Sequence, residues 1–226
     1  MLHFPYQSYD YILQFFNEAA IDPEVQEINV TFYRMAKKSV IAEALISAAR
    51  NGKKVSVFME VKARFDEENN LNWAKKMREA GIKIIYSLPG LKVHAKVALV
   101  KKSDSMYGFF GTGNLNEKTS EIYCDHGLLT SNKNLTLELS QLFQHLLTGQ
   151  EPPPFNHLVV SQFGAYELFI EKIDKEIKHA EAGREARIIV KVNNLQEQSL
   201  ITKLHEASKK GVDVKLIVRS ICCLVP

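Results

Sequence analysis

Cysteine is scarce in this chain, and its placement excludes more than its number does. Cys124, Cys222 and Cys223 form an odd set with no CxxC spacing, so the sequence encodes neither a disulfide framework nor a paired-cysteine metal site. Long apolar runs are missing too. No stretch approaches the roughly 18 residues that mark a spanning helix, and the opening MLHFPYQSYDY lacks a basic segment followed by an apolar one, so it does not read as a secretory leader. There is no strong excess of one charge. At +3 overall, any polyanion partner must be recognised by local clusters and not by bulk charge. Walker A, GxGxxG, HExxH and GxSxG signatures are all absent, so a nucleotide, if bound, is not held by a standard P-loop. What is present is ordinary globular composition, 46% hydrophobic and 24% charged over 226 residues. That length suits one large domain or two small ones, and the sparse thiols fit a reducing, cytoplasmic setting.

Hydrophobic periodicity predicts helices over Tyr9–Ala20, Val40–Arg50, Glu67–Ala80, Leu135–Leu147, Gly164–Ala180 and Gln196–Lys210. β-rich runs predict strands over Ile28–Tyr33, Val55–Val61, Ile82–Tyr86, Val93–Val100, Tyr107–Phe110, Glu121–Thr130, Ala186–Val192 and Val212–Val218. Strands alternating with helices imply an α/β fold with a mixed sheet flanked by helices. Three consecutive prolines in GQEPPPFN cannot lie inside a helix or a central strand, which puts a linker at 149–156 between a first domain, 1–148, and a second, 157–226. Leu45–Val61 and Leu204–Ile221 resemble each other: Gly52 meets Gly211 at an offset of 159 (211 − 52), Leu45 meets Leu204, and Met59 meets Val218. The likeness fits either two ordinary strand–helix–strand units or a duplicated domain whose second copy is truncated. Under duplication, a counterpart of His94 falls beyond residue 226. The terminal VDVKLIVRSICCLVP, a strand followed by an apolar tail, reads as a cut through a longer protein, with Met1 an added start.

His94 is the residue to which chemistry attaches. In Gly90–Lys96 (GLKVHAK) a strand would project Lys92, His94 and Lys96 to one face and Val93, Ala95 and Val97 to the other. A histidine between two lysines suits a phosphorylated nucleophile: the ammonium groups stabilise a transferred phosphoryl group and disfavour imidazolium. The plainer reading is a polar, exposed strand face. Gly111-Thr112-Gly113-Asn114 follows within about twenty residues and could cradle an anion on backbone N–H groups, although it is also a simple turn. Arg34, Arg64 and Arg219 each follow a strand, at the carboxyl edge where α/β sheets gather ligands, and guanidinium groups clamp phosphate bidentately. Each could equally form a surface ion pair. Asp66, Glu67 and Glu68 cap the next helix, pair with Arg64 or help hold Mg²⁺; the sequence does not choose. His3, His145, His157, His179 and His205 read as surface or helix-face residues, and His126 as a strand histidine satisfied in the core.

HxK followed by a Gly-rich element on a duplicated α/β unit resembles the phospholipase D superfamily. The aspartate usual there five residues past the lysine is Lys101 here, which argues against an ordinary phosphodiesterase. The chain more closely resembles bacterial polyphosphate kinases of the histidine-phosphorylating type. Asn29–Arg34 (NVTFYR), Lys62–Glu68 (KARFDEE), Gly90–Lys96 (GLKVHAK), Gly111–Thr119 (GTGNLNEKT) and Leu216–Pro226 (LIVRSICCLVP) carry that resemblance in order. It implies phospholipase D-like domains, with His94 phosphorylated by ATP and Lys96 stabilising charge. It further implies Tyr123 and Arg219 at the nucleotide, and Arg34, Arg64, Lys92, Gly113 and Asn114 at the phosphates. Mg²⁺ would lie near Arg34 and Arg64, which as permanent cations act on phosphate and not as metal ligands. The implied partners are ATP/ADP and inorganic polyphosphate, in a homo-oligomer of the full-length protein. No nucleic acid is expected. The implied location is the cytoplasm, with peripheral association at the inner membrane allowed. A second histidine and further domains would lie outside this sequence, leaving the isolated piece weakly active or inactive. Two rivals remain: a phospholipase D-like phosphodiesterase or nuclease using His94, and a non-catalytic polyanion-binding module using Arg34, Arg64, Lys92 and Lys96.

Overall fold

Runs such as KVSVFM and KVALV carry apolar side chains on successive residues, so both faces of the strands they form must be covered. The structure, a computed structural model, describes residues 1–60, 67–86 and 93–225. They divide into two units, 1–158 and 159–226. The first unit runs β1 (Leu2–Phe4), α1 (Asp10–Ile21), β2 (Val25–Phe32), α2 (Val40–Arg50), β3 (Lys54–Met59), α3 (Glu67–Glu79), β4 (Lys83–Tyr86), β5 (Lys96–Lys102), β6 (Met106–Gly111), β7 (Asp125–Thr130) and α4 (Lys133–Thr148). Its sheet has the order β1-β7-β6-β5-β2-β3-β4, antiparallel from β1 to β2 and parallel from β2 to β4.

Alternate residues of the central strands feed two cores. Ile28, Val30 and Phe32 of β2, Val55, Val57 and Met59 of β3, and Ala98 and Val100 of β5 pack with Ile12, Phe16, Leu45, Trp73 and Met77 of α1, α2 and α3. Phe58, Val97 and Leu99 point the other way, onto Leu139, Phe143 and Leu146 of α4. Each large side chain so buried contributes about 1.5–3 kcal/mol. The helices start where side chains receive their free N–H groups: Ser39 Oγ accepts from Ala42 N at 3.2 Å, and Asn132 Oδ1 accepts from Asn134 N at 3.0 Å and Leu135 N at 3.1 Å.

Two strand boundaries expected from the sequence need correction. The strand expected from Val93 begins at Lys96, because Thr31 takes over where the ladder stops. The last β2–β5 pair is Val30↔Ala98, and beyond it the Thr31 hydroxyl donates to Ala95 O (2.7 Å) while Val97 N donates to that hydroxyl (3.1 Å). The strand expected from Glu121 begins at Asp125. Asn116 Oδ1 accepts from Lys118 N and Thr119 N, which winds Thr119–Glu121 into a 3₁₀ turn. Strand β1, too short to leave a periodic signal, pairs with β7 through Leu2↔Gly127 and Phe4↔Asp125.

The second unit comprises α5 (Ala165–Glu181), β8 (Arg187–Val192), α6 (Gln198–Lys209) and β9 (Asp213–Val218), with β8 and β9 parallel. Ile173, Ile177, Leu204 and Ala207 pack on the inner face of this pair with Ile188, Val192, Val214 and Leu216, while Ile189 and Ile217 on the outer face are exposed. Both ends of β9 lie 159 residues past those of β3 (213 − 54 and 218 − 59). Gly52 and Gly211 enter the two strands with the same left-handed backbone, φ +83° and +93°. The second unit thus repeats the helix–glycine–strand path of the first. No helix among the described residues is long and apolar enough to cross a membrane.

Candidate active site

Sheet order and direction place the chemistry-bearing residues of the first unit before any side-chain contact is considered. Lys96 at the start of β5 pairs with Gly111 at the end of β6, and Gly127 near the start of β7 pairs with the same glycine. The carboxyl ends of β2 and β3 are in register, Phe32 beside Met59. One edge of the sheet therefore collects the segments leaving β2, β3 and β6 and those entering β5 and β7. On that edge lie Tyr33, Arg34, His94, Lys96, the Gly111–Asn114 turn and the approach to Tyr123.

His94 is exposed and lies two residues ahead of β5, whereas Lys96 is buried, with 7% of its surface accessible. The offset does not separate them. Lys96 Nζ sits 3.0 Å from His94 Nε2 and donates to His94 O at 2.6 Å. An ammonium group only donates, so Nε2 accepts, and a neutral imidazole here carries its proton on Nδ1. Tyr33 stands beside the pair. Its ring meets the imidazole edge-on, centroids 4.8 Å apart and planes at 79°, and Lys96 Nζ lies 5.2 Å from its centroid. Arg34 Cζ is 5.7 Å from the same ring. Arg34, half-buried, is thus at the carboxyl edge expected of it. Arg64, Lys92 and Asp66 lie outside the described residues.

The backbone carrying Tyr33 and Arg34 is bracketed by α3. Asn70, fully buried, donates to Tyr33 O at 3.0 Å and Glu60 O at 3.2 Å and accepts from Met35 N at 3.3 Å. Asn69 donates to Met35 O and Trp73 Nε1 to Ala36 O, at 2.8 and 2.9 Å. Sequence reading missed Thr31, Asn70 and Trp73 as supports. The one available signal was that Thr31 and Tyr33 are two apart in a run that reads as a strand, although in the structure β2 ends at Phe32 between them.

The glycine turn is tied to β7 as well as β6. Thr112 Oγ1 donates to Asp125 Oδ1 (2.8 Å) and accepts from His126 N (2.9 Å), and Thr112 N donates to His126 O (3.0 Å). The Thr112 amide of the expected anion cradle is therefore already engaged. Gly113 is a glycine for want of space: a Cβ there would lie 2.3 Å from Asp125 Oδ2. Asn114 Oδ1 is buried and has no hydrogen-bond partner among the described residues, an acceptor without a donor at this edge. Glu117 then reaches α2, where Oε1 accepts from Ser39 Oγ (3.1 Å) and Ile41 N (3.3 Å), so an anion at a helix N-terminus anchors the segment. Burial pushes the phenol of Tyr9 far up, with Glu117 and Asp125 adding to the shift, so this side chain beneath the turn stays neutral. Tyr123 follows the 3₁₀ turn and is 52% exposed. His126, expected in the core, is exposed instead and stacks on His3, centroids 4.5 Å apart.

In the second unit Arg219 leaves β9 at its carboxyl end, exposed, with Nε donating to Asn193 Oδ1 at 2.9 Å. No group of three or more His, Cys, Asp or Glu side chains among the described residues is arranged to hold a metal ion. Arg34 presents a cation, so it can act on phosphate but is not itself a ligand to Mg²⁺.

The family model described as Polyphosphate kinase C-terminal domain 1 matches residues 1–152, and that described as Polyphosphate kinase C-terminal domain 2 matches residues 158–226. The polyphosphate kinase of Yersinia pestis is 42% identical over 230 aligned residues, covering all of this chain and 34% of its own length. That of Escherichia coli (strain K12) is 41% identical, covering all of this chain and 33% of its own. The crystal structure of polyphosphate kinase from Porphyromonas gingivalis matches at a TM-score of 0.89 and 45% identity, over the whole chain and 38% of that one. NucT from Helicobacter pylori, 19% identical, matches at a TM-score of 0.52 over 65% of this chain and 92% of its own, a likeness of fold. The chain spans about a third of the length of the curated relatives it matches.

Proposed function

The chain belongs to the polyphosphate kinase family, and from that premise we propose that it supplies part of an ATP:polyphosphate phosphotransferase site whose nucleophile is His94. The observation that carries this reading is the buried ammonium of Lys96, 3.0 Å from His94 Nε2 on an exposed imidazole. In the first half-reaction Nε2 attacks the γ-phosphorus of ATP. The P–N bond forms, the bridging P–O bond breaks, and ADP leaves with the electron pair. Lys96 turns from the nitrogen lone pair to a non-bridging oxygen of the incoming group, still anchored by its bond to His94 O. In the second half-reaction a terminal oxygen of polyphosphate attacks the same phosphorus and the P–N bond breaks. Both bonds exchanged have high transfer potential, so the sequence is reversible.

Arg34, Arg64, Lys92, Gly113 and Asn114 line the phosphates in this reading, and Tyr123 and Arg219 contact the nucleotide. Mg²⁺ accompanies ATP as part of the substrate. Residues 1–148 form the first phospholipase D-like catalytic domain, 149–156 the proline-rich linker and 157–226 the start of the second. Because the relatives are about three times longer, the chain alone is expected to transfer little phosphate. The test uses the full-length protein and its His94→Ala variant, each incubated with γ-labelled ATP and Mg²⁺, then denatured. Acid-labile, alkali-stable label on the parent and none on the variant is the expected result. Equal label on both removes His94 from the covalent role. Cleavage of a phosphodiester without ATP would instead support the nuclease reading.

A further inference from the structure

Tyr33 belongs to no catalytic chemistry described so far, yet it is the side chain around which the nucleophile, its lysine and an arginine converge. Its ring meets His94 at 4.8 Å and 79°, Lys96 Nζ lies 5.2 Å from its centroid, and Arg34 Cζ lies 5.7 Å away. Both sides of this contact are held by the core. On the tyrosine side, buried Asn70 donates to Tyr33 O at 3.0 Å and receives Met35 N at 3.3 Å. On the histidine side, Thr31 holds Ala95 O and Val97 N at 2.7 and 3.1 Å, immediately past the last residue pair of the β2–β5 ladder. Thr31 lies at the end of β2 and Tyr33 just past it, so the carboxyl end of one strand supplies both the backbone clip and the ring.

We infer that Tyr33 is a positioning residue for phosphoryl transfer, its aromatic ring orienting the His94 imidazole and holding Lys96 against Nε2. This rests on the reading of His94 as nucleophile. The physical case is that an exposed imidazole turns freely about two side-chain bonds unless something fixes its plane. Near-perpendicular aromatic pairs have a preferred geometry, which supplies that constraint. Aromatic π systems also attract cations, so an ammonium standing beside both rings, 5.2 Å from the Tyr33 centroid and 3.0 Å from Nε2, is drawn to each. Removing the ring leaves the nitrogen present but misaimed, and misplacement of about 1 Å can cost about 100-fold in rate.

Tyr33→Phe keeps the ring and Tyr33→Leu removes it, which separates aromatic positioning from the hydroxyl. Two readouts are needed. In this chain, the His94 ring protons are followed by NMR. Wild type and Tyr33→Phe are expected to share a ring-current shift that Tyr33→Leu loses. The indole resonance of Trp73, the only tryptophan, should stay in place because its bond to Ala36 O reports the integrity of the same loop. In the full-length protein, Tyr33→Leu is expected to lower kcat about 10- to 100-fold with KM changed less than about threefold, and Tyr33→Phe to retain most activity. The inference is overturned if wild-type His94 carries no ring-current shift, if Tyr33→Leu loses the shift at unchanged kcat, or if Tyr33→Phe is as impaired as Tyr33→Leu. Should His94→Ala label like wild type, the nucleophile assignment fails, and the NMR result still decides whether the ring orients the imidazole.

Discussion

A methyl group at position 113 would lie 2.3 Å from Asp125 Oδ2 and 2.6 Å from its Cγ, closer than atoms can approach without something moving. Asp125 cannot withdraw cheaply, because its other oxygen holds Thr112 Oγ1 and thereby the turn. Gly113→Ala should therefore destabilise the first unit by about 1–3 kcal/mol, read as a shift in the urea midpoint. Asp125→Ala alone should cost about 1 kcal/mol through the lost hydrogen bond. Because the clash and the carboxylate are one interaction, the double variant should be more stable than the two single losses predict. Simple additivity would show that the turn relaxes without feeling Asp125. Lys96 makes a prediction of a different kind. Its ammonium reaches both Nε2 and the carbonyl of His94 from a buried stem, a geometry that a planar guanidinium does not reproduce. Lys96→Arg is thus expected to lose most phosphohistidine in the labelling assay, about as much as Lys96→Met. Near-normal labelling of Lys96→Arg would mean that only positive charge is required there.

Glu138 of α4 ties the end of the first unit to its body. The carboxylate accepts from Leu158 N at 2.7 Å, Asn156 N at 2.8 Å and His157 N at 3.0 Å, and lies 3.0 Å from His157 Nδ1. Burial pushes this carboxyl up, but the amides of Leu158 and Asn156 and the His157 ring outweigh it and hold it down at about 2. The sign follows. A group whose folded value is depressed contributes fully above the ordinary 4.5 and loses that contribution as pH falls toward 2. Glu138→Gln should cost about 2–3 kcal/mol at pH 7, with the gap to wild type narrowing below pH 4.5 in denaturant titrations. A gap independent of pH would assign the loss to packing. These contacts bear on what a sequence can reveal. The run and stop of α2 were readable to the residue, Val40–Arg50, because its periodicity, its cap at Ser39 and its stop at Gly52 are all local. The start of β5 was not, since the Thr31 hydroxyl that replaces its ladder lies 64 residues away from Ala95. Local β preference alone places Tyr123 in a strand, but the Asn116 side chain winds the preceding turn and β7 starts only at Asp125. His94 and Lys96 were legible as a pair. Their aromatic neighbour, about sixty residues earlier in the chain, was not.

At the scale of the molecule, the two units differ in how completely their sheets are covered. In the first unit β2, β3 and β5 are buried on both faces between α1, α2 and α3 on one side and α4 on the other. In the second unit two parallel strands carry helices on one face only, and Ile189 and Ile217 remain 63% and 57% exposed on the other. Two-stranded sheets are marginal without such packing, and a small core contributes proportionately less against chain entropy. The second unit should therefore open first. In hydrogen exchange read by mass spectrometry, amides of β8 and β9 are expected to exchange at least about 10-fold faster than those of β2 and β5, and urea should detach the second unit's unfolding from the first's. Since β9 repeats β3 at both ends, the same 159-residue offset identifies β8 with central strand β2, whose two neighbours cover both its edges. Extending the protein to the length of its relatives should then raise protection in β8 specifically, along the edge that β9 does not occupy. Equal protection of β8 in the short and extended proteins would mean that the repeat ends with the helix–glycine–strand path and that no further strand joins it there.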